Sequence, residues 1–235
     1  MKKSSYILWM VTLSLLMGLT LPYLWVILKT IFIPKHCGFW GEEKTYMWFM
    51  IGAVAYLCLR LLIRSKSRFL ETLSHELTHA AIALLCGRRI HSIHVEDSGS
   101  GVVFTSGNNN YSLVPVALAP YCLPLFTYIL LAIRCIVDEE SLWICDILNG
   151  FVTCFHYICF KTQLGNYQTD INQYPLSFSY YYIVTSWVIN TCIILVSFNP
   201  EIIVKGTWGR GVFSSLLLLV THWWENLQMY IYWLL

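Results

Sequence analysis

The chain has 235 residues, of which 57% are hydrophobic and 16% aromatic, while only 12% carry a charge. A soluble domain is about one quarter charged, so this chain lacks the polar side chains to cover a water-facing surface, and its mean hydropathy of +0.59 points to the bilayer. A net charge of +2 without a dense basic stripe excludes a nucleic-acid partner, and the apolar content excludes disorder.

In chain order, apolar segments at about 6–33, 45–63, 70–87, 112–137, 141–160, 176–198 and 211–235 predict an all-α polytopic membrane protein. Six to seven transmembrane helices are expected, in a single domain over 1–235 with a catalytic core at about 69–198. Lys2 and Lys3 precede the first segment as in a signal peptide, but the apolar run is too long for one and no A-x-A site follows, so an uncleaved span is expected. The first and fourth segments contain prolines (Pro22; Pro115, Pro120 and Pro124), which predicts kinks or partial re-entry.

Between the third and fourth segments, Ile90 to Gly107 reads as a small β-hairpin: Ile93 and Val95 alternate with His94 and Glu96, a turn follows at Asp97 to Gly101, and Val102-Val103-Phe104 returns. His91 and His94 lie three apart, on opposite faces of a strand, and are read as surface residues rather than a shared metal site. Of nine cysteines, only Cys37 falls in a clear loop; the others lie in apolar stretches without a C-x-x-C pair and are read as packing residues in the lipid-embedded part.

Positive charge sets orientation. With the N-terminus in the cytoplasm, the inside loops hold Lys2, Lys3, Arg60, Arg64, Lys66, Arg68, Arg134, Lys205 and Arg210. The outside loops hold Lys35, Lys44, Arg88, Arg89 and Lys161. The basic loop before the third segment carries most of the bias.

The third segment contains His75-Glu76-Leu77-Thr78-His79, an H-E-x-x-H pattern on a helix. At about 100° per residue, the two histidines sit about 40° apart and one turn along, so both imidazoles can reach one ion, with Glu76 beside them as a base. Catalytic zinc takes three protein ligands and an open position. Ionisable groups inside a span are costly unless paired or metal-bound, which favours a metal centre over a hydrogen-bonded polar knot between helices. For the third ligand, Asp170 is the leading candidate, with Asp146 and His156 as alternatives.

These residues resemble the site-2 protease class of intramembrane zinc metalloproteases, especially its small bacterial single-domain members. The likeness rests on His75-Glu76-Leu77-Thr78-His79-Ala80 leading to Cys86-Gly87-Arg88-Arg89, on the hairpin with Gly99-Ser100-Gly101-Val102-Val103, and on Thr169-Asp170 ahead of a span with Trp187. It covers about residues 69–187. The resemblance implies Zn2+ held by His75, His79 and an aspartate, matched here by Asp170, with Glu76 as catalytic base. It implies membrane-anchored protein substrates and a bacterial inner membrane location. The N-P-D-G and L-D-G forms found in other members are absent here, and Asn166 and Asn172 are the candidates for stabilising an oxyanion.

Seven full crossings would put the Asp170 loop on the side opposite the basic loop before His75. Either that loop dips inward or segment 112–137 does not cross once. Alternative functions for the same His pair are a metal transporter or sensor, or an inactive protease-like scaffold. The former lacks a string of ligands on several spans, and the latter is opposed by the intact Glu76. Serine chemistry of the rhomboid kind is unsupported, since no serine lies in a G-x-S-x-G setting.

Overall fold

The computed structural model describes residues 3–32, 45–63, 67–96, 100–106, 114–165, 168–198 and 212–234. The expectations attached to Lys2, Lys35, Lys44, Arg64, Lys66, Lys205, Arg210, Cys37, Asn166 and the turn residues Asp97, Ser98 and Gly99 fall outside these residues, as do the side chains of Lys3 and Arg68.

Helices dominate: α1 (Lys3–Phe32), α2 (Thr45–Leu62), α3 (Ser67–Leu85), α4 (Val114–Leu118), α5 (Leu125–Arg134), α6 (Leu142–Gln163), α7 (Thr169–Asn172), α8 (Leu176–Ser197) and α9 (Val212–Leu234). Strands β1 (Arg89–Val95) and β2 (Gly101–Ser106) form the expected antiparallel hairpin, with Ile93 opposite Val103 and an irregularity between Ile90 and Ser92. Its His91 and His94 are exposed, as read from the sequence.

Among the described residues, three helices are long and apolar enough to cross a membrane: Ser5–Lys29 within α1, Glu139–Gln163 including α6, and Leu176–Ser197. A fourth arises if the bent pair Val114–Tyr121 and Leu125–Arg134 counts as one span. The protein is therefore an integral membrane protein, but six to seven spans are not met by length and composition. The physical reasons differ by segment. The apolar helix Tyr46–Leu62 in α2 is short; α3 carries Glu71, His75, Glu76 and His79, and α9 is interrupted by His222, Glu225, Asn226 and Gln228.

The proline-rich fourth segment breaks as expected. It bends by 82° between Tyr121 and Leu125, so it is not one straight helix but a bent pair. A break inside apolar surroundings strands backbone groups that must be satisfied locally. Here α8 supplies the donors: Trp187 Nε1 donates to the Tyr121 carbonyl at 2.6 Å and Asn190 Nδ2 to the Cys122 carbonyl at 2.8 Å. On the far side of the break, the Phe126 N–H in the first turn of α5 donates to His156 Nε2 at 3.2 Å. By contrast α1 passes through Pro22 as one helix.

Small residues let α2 and α6 approach closely. A Cβ on Gly52 would lie 1.8 Å from the Ile147 carbonyl oxygen, and one on Gly150 would lie 1.8 Å from that of Phe49. Such backbone contact is how helices associate where lipid offers no hydrophobic drive. Helix α6 packs on α2 and α5, and the end of α6 meets α3 through the hydrogen bonds of Thr162 and Gln163 to Glu71 and His75. Cys122, Cys145, Cys159 and Cys192 are buried packing residues; Cys58, Cys86 and Cys135 are exposed, and all described cysteines are unbridged.

Candidate active site

Helix α3 ends in a motif that aims the hairpin back along it. Gly87 has φ 75°, a conformation that favours glycine, while its N–H bonds the Leu84 carbonyl and the Arg88 N–H bonds that of Ala83, both at 2.9 Å. The chain reverses there, β1 starts at Arg89, and β2 begins with Gly101 against Glu76. A Cβ at residue 101 would stand 2.6 Å from Glu76 Oε1, so a larger residue there would push this carboxylate aside.

His75 and His79, one turn apart on α3, bring their Nε2 atoms to 3.2 Å of each other. Asp170 Oδ2 completes a triangle, 3.2 Å from His79 Nε2 and 3.6 Å from His75 Nε2. Among the described residues, these three form the cluster able to offer one ligand atom each to a single ion. Glu76 is buried beside them and lines the same pocket, whose volume is about 740 Å³.

Asp170 reaches the site because the next residue is an anchor. Ile171 is fully buried in a cluster with Val114, Leu118, Tyr121 and Phe178, and its carbonyl accepts from Ser179 Oγ at 2.9 Å. This fixes the single turn of α7 between α4 and α8. Burial works to raise the Asp170 carboxyl, whereas imidazoles that carry a second proton on Nε2 hold it well below the ordinary carboxylate range. As a carboxylate it accepts only. Tyr121 Oη donates to its Oδ2 and Gln173 Nε2 to its Oδ1, each at 3.4 Å.

The outer nitrogens of both histidines have acceptors. His79 Nδ1 donates to the Val116 carbonyl at 2.7 Å. That carbonyl is open to it because Pro120, four residues on, has no N–H to continue the helix. His75 Nδ1 donates to Gln163 Oε1 at 3.0 Å. In each neutral ring the proton therefore sits on Nδ1 and the Nε2 lone pair points inward. Two imidazole lone pairs and a carboxylate oxygen converge, an arrangement that repels itself unless a cation lies among them. The donor set, two nitrogens and one oxygen at a partly open pocket, suits zinc.

The alternatives for a third ligand are placed elsewhere. Asp146 is buried against Arg134, with Oδ1 accepting from Nε at 2.7 Å. His156 is buried among Phe126, Phe155 and Phe160 and accepts the Phe126 N–H. Of the two asparagines considered for an oxyanion, Asn172 is exposed and does not line the pocket.

Sequence reading missed Gln163, Tyr121, Glu71 and the Val116 carbonyl. For Gln163 a signal existed: it follows Asn149, Thr153, His156 and Phe160 at helical spacing on the buried face of α6. Taking the helix to stop near residue 160 hid it. The helix runs to Gln163.

An integral membrane protein whose H-E-x-x-H helix lines a pocket has the arrangement of a membrane-embedded peptidase. The chain belongs to the Peptidase M50B-like family, whose model matches residues 47–164, half of its 235 residues, in agreement with the site-2 protease resemblance. No significant match is found among curated proteins or among solved structures. The matched stretch runs from α2 to just past the end of α6 and contains His75, Glu76, His79 and Gln163; Asp170 lies beyond it.

Proposed function

We propose that this protein is a zinc-dependent endopeptidase that cleaves membrane-anchored proteins within or beside the bilayer. The observation that carries this reading is the convergence of His75 Nε2, His79 Nε2 and Asp170 Oδ2 at the pocket that Glu76 also lines. These three side chains would hold the metal, which acts when bound as a Lewis acid on a carbonyl and lowers the pKa of a water. Glu76, buried and covered by Gly101, accepts the proton of the attacking water and returns it to the leaving amine.

A helical substrate must unwind first, since its carbonyls are otherwise engaged in backbone bonds. Strand β2 pairs with β1 and also contributes Gly101, Val102, Val103 and Thr105 to the pocket wall. An extended substrate segment adds to this hairpin as a further strand and so lies along the pocket. The positive-inside bias supports a cytoplasmic N-terminus, and the likeness to small bacterial members supports a bacterial inner-membrane location.

The test compares wild type with Glu76→Gln, measuring cleavage of a membrane-anchored substrate and zinc content. Zinc is expected to stay while the cleavage rate falls by about 10²–10⁴-fold, the usual contribution of a general base. Cleavage that survives in the variant would overturn the role of Glu76; zinc transport into vesicles in place of cleavage would favour a transporter.

A further inference from the structure

His75 and His79 are held in different ways: His79 by a main-chain carbonyl, His75 by a side chain from another helix. We propose that Gln163 is a positioning residue of the metal centre, and that its carboxamide sets both the tautomer and the ring angle of His75. This rests on the zinc reading of the site.

Glu71 lies one turn before His75 on α3. Gln163 Nε2 donates to the Glu71 main-chain carbonyl at 3.1 Å. A carbonyl can only accept, so the NH₂ end of the carboxamide is committed to it and cannot be exchanged with the oxygen. Gln163 Oε1 is thereby turned to His75 Nδ1, 3.0 Å away. An amide oxygen likewise only accepts, so His75 Nδ1 must carry the proton and Nε2 presents its lone pair to Asp170 and His79. The tautomer of His75 is dictated, through one carboxamide, by a backbone oxygen one turn away.

The reference point is itself held firmly. Glu71 is buried; Arg60 Nη1 of α2 donates to its Oε1 at 2.9 Å and Thr162 Oγ1 of α6 to its Oε2 at 3.4 Å. Arg60 Nη1 also bonds Tyr56 Oη at 3.2 Å. Thus α2 and α6, packed together through Gly52 and Gly150, both grip the first turns of α3. Because a helix interior carbonyl already has its own backbone donor, the second bond from Gln163 uses the remaining lone pair and does not weaken α3. The proposed chain of influence runs from Arg60 through Glu71 and Gln163 to His75.

The experiment uses the full chain in detergent micelles and reads zinc affinity by competition with a chromophoric chelator. Wild type is set beside Gln163→Met, which keeps the length but offers neither donor nor acceptor, and Gln163→Glu, which keeps an acceptor for Nδ1. Gln163→Met is expected to bind zinc about 10–100-fold more weakly, the usual cost of losing an outer partner of a ligating histidine, and Gln163→Glu to recover most of that loss. Equal affinity of wild type and Gln163→Met would overturn the proposal and leave the metal site standing. Equal weakness of both variants would also overturn it, since packing against Glu71 and not the acceptor would then matter. A wild type that binds no zinc would overturn the site reading as well. A second measurement needs no variant: histidine ¹⁵N spectra of the zinc-loaded wild type should show His75 protonated at Nδ1 and coordinated through Nε2. Coordination through Nδ1 would refute the assignment even if Gln163→Met does not fold.

Discussion

Two partly or fully buried aspartates, Asp146 and Asp170, show how the same side chain serves opposite ends within one helical membrane protein. Asp146 meets a fixed cation: Arg134 Nε lies 2.7 Å from its Oδ1, and both side chains are 4% exposed or less. Arg134 also reaches the Ser197 carbonyl and lies over the Phe198 ring, so the charge is fully absorbed by the fold. Asp170 meets two imidazoles whose own protons are turned outward to Val116 and Gln163, and its side chain keeps 23% exposure on a pocket. The first cluster is closed and electrically complete. The second is open on one side and has lone pairs in excess, which supports the proposal that it takes a cation. The difference lies in what surrounds the carboxylate.

That contrast is sharpest when each aspartate is removed. Asp170→Ala takes away one of three converging ligand atoms, and the largest expected effect in the molecule follows: purified protein no longer retains zinc and substrate cleavage falls below detection. Thermal unfolding of the zinc-free protein should barely move, because no fixed cation is left unpaired. Zinc content by elemental analysis checks the first half, and retention of stoichiometric zinc would return the third ligand to an open question. Asp146→Ala should do the reverse. It leaves Arg134 buried without its partner, which costs about 3–5 kcal/mol of stability. Whatever fraction stays folded should bind zinc like wild type; a melt in mild detergent, with zinc measured per folded molecule, separates the two outcomes.

The sequence made part of this visible. The H-E-x-x-H pattern could be read because its geometry is local: one turn of helix fixes where both imidazoles and Glu76 point, whatever the rest does. The hairpin was readable for the same reason, from alternation and a turn. Prolines marked the break in the fourth segment, since their missing N–H is a local property too. Choosing among Asp146, His156 and Asp170 was different in kind. An ionisable group in an apolar helix announces that it has a partner, but not which one. Arg134 precedes Asp146 by a loop, and only the packing of α5 on α6 shows that they pair; His156 is claimed by the N–H of Phe126 for the same reason. The span count was not met where hydropathy was read without length or polar interruptions, as in α2 and α9. Gln163 and the Val116 carbonyl stayed hidden because their roles depend on α6 and α4 meeting α3, contacts between residues far apart in sequence.

The smallest effect concerns the partner that Asp170 shares with no counterpart at Asp146, the hydroxyl of Tyr121. Tyr121 is buried in the three-residue turn between α4 and the helix break. Its ring stands edge-on to His75 with centroids 5.1 Å apart, and its main-chain carbonyl takes the Trp187 indole proton. Tyr121→Phe keeps the ring, the edge contact and the main-chain bond, and deletes only the hydroxyl. That hydroxyl is 3.4 Å from Asp170 Oδ2, a long contact that should contribute less than the roughly 1.5–3 kcal/mol typical of bonds to charged groups. Zinc affinity is therefore expected to weaken by about two- to fivefold, corresponding to about 0.5–1 kcal/mol. Stability should be unaffected. A loss as large as that of Asp170→Ala would mean that Tyr121 itself takes a place at the metal, and the His75, His79, Asp170 assignment would need a fourth protein ligand. An unchanged affinity would mean that α7, anchored by Ile171, positions Asp170 without help from the hydroxyl. The chelator competition that measures Gln163→Met resolves these outcomes, because the expected change lies below the effect of losing a histidine's outer partner and above no change at all.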